Sequence, residues 1–405
     1  MHISNCVSSH KLAVVMVLRV RLKTVLVFAL LVRFLGNVEC GSSSPGSGSS
    51  VSKTGSFSSG SSSSKSGSSG GLREYLHWRN WHIPRIMSLF YKKYKGEERM
   101  DGKVAIITGS NTGIGKVTAL EFCKRGARVI MACRNIDTCK EAADDILTKT
   151  KELKDRGTVV CRYLDLSKTR TIREFAADIM RTEEKINYLI NNAGVMACKW
   201  ELTEDQQEMQ FAVNFLGHYL LTLKLLPRII KSAPSRIVNV ASLAHIFSSG
   251  NMHYDDIQLK KKYNPRVAYG RSKLANIWFT RELARRLTEK RIKNVTTYAL
   301  HPGVIATELS RHLDTAARPW IKKIYESRFV RYFIRTPEEG AQTTLHCALN
   351  AKAANETGRY YSNCHKAKPL RAAKPGRKND EKAEKLWDWS WNWSGLGNYN
   401  PYSPM

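Results

Sequence analysis

The sequence predicts an α/β protein, a doubly wound parallel sheet in a single domain behind a long N-terminal extension. Three observations predict it. From Asp101 onward short apolar runs alternate with longer helical stretches, the texture of strand–helix–strand crossovers whose sheet is covered on both faces. The first of these runs, 104–108, opens straight into a glycine-rich loop and then a helical stretch. Polar and glycine-bearing motifs stand where later runs end, the carboxyl edge at which such a sheet meets its ligand.

Taken in order, residues 1–40 carry two apolar runs, 12–18 and 25–35, separated by Arg19, Arg21 and Lys23. Neither reaches the roughly 20 residues of a spanning helix, and Arg33 interrupts the second. The basic leader, short apolar stretch and small residues Val38 and Cys40 resemble a secretory signal; the rival is a membrane anchor with snorkelling arginines. Residues 41–71 are almost all serine and glycine, a flexible linker. In 72–100, Trp78, Trp81, Phe90, Tyr91 and Tyr94 are mixed with Arg73, Arg79, Arg85, Lys92 and Lys93. That mixture suits a membrane interface, or helices packed on the domain behind.

The domain proper is placed at 101–365. Strands are expected at 104–108, 128–133, 159–164, 188–190, 237–240 and 295–300, with an edge strand at 358–361. Helices fill most gaps, among them a charged one over 136–153. The remainder, 366–405, turns basic and then presents Trp387, Trp389, Trp391 and Trp393, a cluster that caps the fold or touches a membrane.

The totals narrow the function. Of 405 residues 42% are hydrophobic, enough for a full-sized core, and the net charge of +30 calls for an anionic partner such as a membrane surface or a phosphorylated ligand. No zinc-finger spacing, RNA-binding aromatic signature or basic zipper accompanies that charge, which argues against nucleic acid. No metal site is expected. The nine cysteines are odd in number and lack a C-x-x-C pair, which reads as a reduced compartment without a disulfide framework.

The loop Gly109-Ser110-Asn111-Thr112-Gly113-Ile114-Gly115 follows the first strand and opens a helix. In that context a glycine string becomes a dinucleotide fingerprint: the backbone meets a pyrophosphate, and the helix N-terminus favours its charge. The fold is then Rossmann-type. Where an acid at the end of the second strand would hold the ribose hydroxyls of NAD, this chain has Arg134. A guanidinium forks onto a 2′-phosphate that an acid would repel, so the expected cofactor is NADP(H). Asp165, ending the third strand, is placed to meet the adenine amino group.

Tyr269-Gly270-Arg271-Ser272-Lys273 puts a tyrosine and a lysine one helical turn apart. An ammonium beside a phenol is expected to lower its pKa from about 10, poising it to exchange a proton with a carbonyl or alcohol oxygen. Alone this string is weak. It is joined by Asn191-Asn192-Ala193-Gly194 at the fourth strand's end, Ser242 at the fifth's and His301-Pro302-Gly303 at the sixth's. Asn214 lies between, on a helix expected to run under the site.

Together these motifs, in this order over residues 100 to 350, resemble the classical short-chain dehydrogenase/reductases. Ala132-Cys133-Arg134-Asn135, Ser235-Arg236-Ile237-Val238-Asn239-Val240, Ser272-Lys273-Leu274-Ala275-Asn276 and Leu345-His346-Cys347-Ala348-Leu349 resemble more closely the microsomal retinol dehydrogenase branch. The resemblance implies NADPH-linked interconversion of retinal and retinol, or of related lipid aldehydes, on the endoplasmic reticulum membrane. It implies that Tyr269 is the proton donor or acceptor, that Lys273 lowers its pKa and binds the nicotinamide ribose, that Ser242 orients the substrate oxygen, and that Asn214 holds a water behind Lys273. Around the cofactor it places the glycine loop, Arg134, Asp165, Leu166, Asn192, Ala193, Gly194, Tyr269, Lys273, Pro302 and Gly303.

Departures from the branch are Gly270-Arg271, where glycine is expected to loosen the helix, Ala241 before Ser242, and the long front extension. Over 304–336, Leu309, Leu313, Trp320 and Ile321 would form either an apolar lid that grips a hydrophobic substrate or helices that complete the core. Among the sequons at Asn294, Asn355 and Asn392, the first is expected to enter a buried strand where no glycan fits, favouring the cytosolic side; entry into the secretory pathway is the alternative. A broad carbonyl reductase and a catalytically idle membrane-bound binding protein are the competing functions. The second is disfavoured by the survival of Asn214, Ser242, Tyr269 and Lys273.

Overall fold

A computed structural model describes residues 91–305 and 335–403. The expected signal or anchor, linker, most of the basic aromatic segment and nearly all of the apolar lid lie outside the described residues.

The sheet is built as expected. Strands β1 (Val104–Thr108), β2 (Arg128–Cys133), β3 (Thr158–Tyr163), β4 (Tyr188–Asn191), β5 (Ser235–Val240), β6 (Val295–His301), β7 (Arg359–Ser362) and β8 (His365–Lys366) stand in the order β3-β2-β1-β4-β5-β6-β7-β8. All pairings are parallel except β7 with β8. Strand order reverses between β1 and β4, so the crevice at their carboxyl ends is where a ligand enters. The strand expected at the edge is not the edge, because β8 folds back over it.

Helices α1 (Gly113–Lys124), α2 (Ile136–Lys149), α3 (Thr169–Thr182), α4 (Gly217–Lys231), α5 (Pro265–Glu289), α6 (Pro337–Leu349) and α7 (Arg377–Trp393) supply the crossovers and the C-terminal cover. Successive strand residues feed opposite cores. Ile106 and Ile130 belong to the cluster with Phe215, Leu274 and Trp278, whereas Ile107 and Met131 belong to the one with Phe122, Cys347 and Ala348. Such strands, buried on both faces, read as unbroken apolar runs. Helix α2 stops four residues before the expected 153. Thr150 ends it, its hydroxyl donating back to the Ile146 carbonyl at 2.9 Å.

The tryptophan-rich end caps the fold. Trp387 is 3% exposed, stacked on Phe279 at 5.8 Å and edge-on to Tyr219 at 5.2 Å. The Arg286 guanidinium lies 4.6 Å from its ring centroid. Deleting so large a buried side chain leaves a cavity and costs about 3–5 kcal/mol. Trp387→Ala should therefore lower Tm by roughly 10 °C; an unchanged melting curve would place α7 outside the cooperative unit.

Two expectations are corrected. Cys139 of α2 and Cys161 of β3 form a disulfide, with Cα atoms 6.1 Å apart, so cysteine does not serve only as a small apolar residue. The other described cysteines are free, four of them buried. Asn294 is exposed in a left-handed turn just ahead of β6, and Asn355 and Asn392 are exposed as well. Burial therefore excludes a glycan at none of the three. Among the described residues no helix is long and apolar enough to cross a membrane, and no cluster of metal-ligating side chains occurs.

Candidate active site

The glycine loop is locked onto the β4 turn. Gly109 has φ +61°, a backbone favoured by glycine. A Cβ on Gly115 would stand 2.5 Å from the Gly109 carbonyl and 2.6 Å from Asn192 Nδ2, so only glycine lets α1 begin there. Asn192 Nδ2 donates to the carbonyls of Thr108 (2.9 Å) and Gly109 (3.2 Å). The Thr108 hydroxyl accepts from the backbone N–H groups of Asn192 and Ala193 at 2.9 and 3.0 Å. Ser110 turns inward to the Ile107 carbonyl (2.9 Å), and Asn111 reaches Thr138 at the start of α2 (3.1 Å). Helix α1 has no side-chain cap at Thr112 and no acid in its first turn. Its N-terminus thus suits an external anion.

Arg134 is exposed just beyond β2 and makes no ion pair among the described residues, which suits it to a phosphate. Asp165 is buried, its Oδ1 accepting from Ser167 N (3.0 Å) and Oγ (2.7 Å). Leu166 is buried beside Gly217. The Pro302 carbonyl is held by Arg335 Nη1 at 3.0 Å, next to Gly303. Arg335, one of the residues the sequence reading missed, also sits with its guanidinium 4.0 Å from the Tyr91 ring.

The four expected catalytic residues converge. Tyr269 is 7% exposed, and burial drives its pKa up to about 12, partly offset by a hydrogen bond with Ser242. This corrects the expected lowering. Lys273 lies 5.6 Å from the ring centroid of Tyr269, but its Nζ donates to the Val240 carbonyl at 2.9 Å, and burial drops its own pKa to about 8. Desolvation is the largest cause at both groups. Asn214 sits in a π-helical turn, Ala212–Leu216, leading into α4. Its side chain grips both polar groups of Val195 (2.8 and 2.9 Å) and donates to Ser272 Oγ at 2.9 Å. Its Oδ1 and Lys273 Nζ flank Gly194, 3.1 and 3.4 Å from where a Cβ would be.

His218, one turn after Asn214, ties the cofactor loop to the catalytic side. Its Nδ1 donates to the Asn214 carbonyl (3.1 Å), and its Nε2 accepts from the Thr108 hydroxyl (2.9 Å). Helical spacing from Asn214 was the available signal. Burial lowers its pKa from 6.5 to about 3. Below about pH 6.5 the unfolded chain binds a proton there that the folded one does not, so this contribution to stability is complete above 6.5 and is lost as pH falls toward 3. Tm should fall less steeply between pH 6.5 and 4 in His218→Gln than in the unmodified chain; parallel curves would remove His218 as the cause.

Gly270, inside the unbroken helix α5, admits a neighbour. A Cβ there would lie 2.5 Å from the Ala244 carbonyl and 3.0 Å from Phe247 Cβ. Gly270→Ala gains at most about 1 kcal/mol of helix propensity against about 1–3 kcal/mol of overpacking. The net expectation is a lower Tm with turnover reduced through the displaced Ser242 segment; a stabilised variant would contradict it. Arg271 is fully buried, stacked 4.6 Å from the Phe211 ring and donating to the Met252 carbonyl at 3.1 Å. The Glu208 carboxylate lies 3.8 Å away.

Comparison with known proteins agrees with this geometry. Residues 103–318 match the family model described as short chain dehydrogenase. Human retinol dehydrogenase 11 is 45% identical over 298 residues, 74% of this chain and 87% of that protein. Human retinol dehydrogenase 12 is 45% identical over 290 residues, 72% and 85%. A solved structure from Mycobacterium Paratuberculosis superposes with TM-score 0.54 at 30% identity, covering 73% of this chain and 95% of that one.

Proposed function

The chain belongs to the short-chain dehydrogenase/reductase family, in its retinol dehydrogenase branch, and on that premise we propose an NADP(H)-linked oxidoreductase that interconverts a hydrophobic aldehyde or ketone, retinal first among them, with its alcohol. The observation that carries this reading is the buried Tyr269 phenol with Ser242 beside it, Ser242 standing just beyond the carboxyl end of β5.

The uncapped start of α1 and Arg134, which makes no ion pair among the described residues, fit a dinucleotide with a 2′-phosphate. The loop 109–115, Arg134, Asp165, Leu166, Asn192, Ala193, Gly194, Tyr269, Lys273, Pro302 and Gly303 would hold it. When bound, the cofactor supplies the hydride. In reduction Tyr269, protonated at neutral pH because its pKa is about 12, gives its hydroxyl proton to the carbonyl oxygen. Ser242 donates a hydrogen bond to the same oxygen and fixes its place. Lys273 retains most of its charge at neutral pH, with a pKa near 8, and stabilises the tyrosinate left behind. Asn214 holds the segment after Gly194 and orders a water for reprotonation behind Lys273.

The test is NADPH oxidation by the full chain across retinal, a long-chain aldehyde and a steroid ketone. Turnover greatest with retinal supports the reading; equal turnover of all three replaces it with a broad carbonyl reductase, and none refutes it. The endoplasmic reticulum membrane, with the catalytic domain on the cytosolic side, is the proposed location. Digestion of the catalytic domain by protease added to sealed microsomes would support it, and protection would reverse the orientation.

A further inference from the structure

We propose that two histidines, His245 and His301, are positioning residues that clamp the single peptide plane joining Ser242 to Leu243, and that the C-terminal segment completes the clamp. This rests on the reading of Ser242 as the hydroxyl that places the substrate oxygen.

Ser242 leaves β5 into a short 3₁₀ turn, Leu243–Phe247. Its hydroxyl oxygen accepts from Ala244 N at 3.1 Å, which leaves its hydrogen as the group that donates. Where that hydroxyl stands depends on the peptide that follows it. Both polar groups of that peptide are held by imidazoles. The Ser242 carbonyl accepts from His245 Nδ1 at 2.6 Å, and the Leu243 N–H donates to His301 Nδ1 at 3.2 Å.

The chemistry fixes each ring's tautomer. A carbonyl only accepts, so His245 carries its proton on Nδ1. Its bare Nε2 accepts from the Leu370 N–H at 3.1 Å. His301 must be bare at Nδ1. Either ring, if protonated, would confront an N–H with an N–H. Burial keeps both neutral, lowering His245 and bringing His301 to about 3.

The segment that offers Leu370 is anchored in turn. Ala367 N donates to the Tyr360 carbonyl and Trp278 Nε1 to that of Ala372, each at 2.9 Å, and Lys382 Nζ reaches the Gly250 carbonyl at 2.8 Å. The Tyr360 ring meets His245 edge-on at 5.8 Å. Residues after β8 thereby reach the catalytic serine through one imidazole. A displacement near 1 Å of a catalytic group can cost about 100-fold in rate, so a loosened plane should appear in kcat before it appears in cofactor binding.

The test uses the full chain with retinal and NADPH. His245→Phe keeps a planar ring but breaks both hydrogen bonds. It should lower kcat by about 10- to 100-fold while the NADPH dissociation constant stays within about twofold. His245→Gln, which retains a donor and an acceptor, should recover part of the loss. In a Ser242→Ala background His245→Phe should cost less than about threefold more, because the group it positions is gone. Equal losses in both backgrounds, or a lower Tm with kcat intact, would overturn the proposal. His301→Leu reads the clamp from its other end should His245→Phe not fold. Exchange of the Leu243 amide, accelerated about tenfold in either variant, reads it without activity. Unchanged exchange overturns the clamp, whereas absent turnover in the unmodified chain strikes only the functional reading.

Discussion

Tyr269→Phe should abolish all but a trace of turnover, a loss of about 10³-fold or more in kcat, while NADPH binds as before. Positioned proton transfer contributes about 10²–10⁴-fold, and no other described hydroxyl beside Ser242 could take the tyrosine's part. The Ser242 hydroxyl, with a far higher intrinsic pKa than a phenol, is a poor substitute acid. The ring stays, so packing is nearly conserved at this buried position and the fold should survive. A phenol is protonated at neutral pH even at its ordinary pKa of about 10, and burial, by driving the value up to about 12, widens that margin. Reduction therefore begins from the correct protonation state; alcohol oxidation must first remove that proton and should gain from rising pH. Retained turnover with retinal would refute the assignment of Tyr269, and a parallel loss of NADPH affinity would recast it as a binding residue.

Arg134→Asp should invert the cofactor preference, shifting the NADPH-to-NADH ratio of kcat/KM by about 100-fold or more. A charge-assisted hydrogen bond contributes about 1.5–3 kcal/mol, and the substitution replaces that attraction to a 2′-phosphate with repulsion. For NADH the same carboxylate can bond the ribose hydroxyls. Both changes act in one direction, and about 1.4 kcal/mol is tenfold. Because Arg134 is exposed and makes no ion pair among the described residues, Tm should barely move. An unchanged ratio would sink the NADP(H) assignment, and with it the reading of the second strand's end.

The sheet was legible where physics acts locally. Strands β1 and β2 fall at their expected bounds because strands buried on both faces are continuous apolar runs ended by turn residues. Motifs at strand ends were legible for the same reason: each is contiguous in sequence. What was not legible depends on distant partners. Nothing near His245 announces that residue 370 will supply its second hydrogen bond. Arg335 and the Pro302 carbonyl meet only across an intervening stretch. Gly270 looked like a weakness of its helix because the Ala244 carbonyl it accommodates lies on another element. The phenol's pKa was misjudged in sign because a Tyr/Lys spacing reveals proximity but not burial. Asn294, one residue ahead of β6, shows how a strand's burial does not extend to its flank.

The seat that Tyr219 and Phe279 make for Trp387 has a consequence for biosynthesis. A nascent chain can pair β1 to β6 while that seat is still vacant, so an apolar hollow stays open until the last few dozen residues are translated. A premature stop codon between β8 and Trp387 would release a protein whose sheet is formed but whose hollow faces water, a substrate for chaperones and proteases instead of a slightly weakened enzyme.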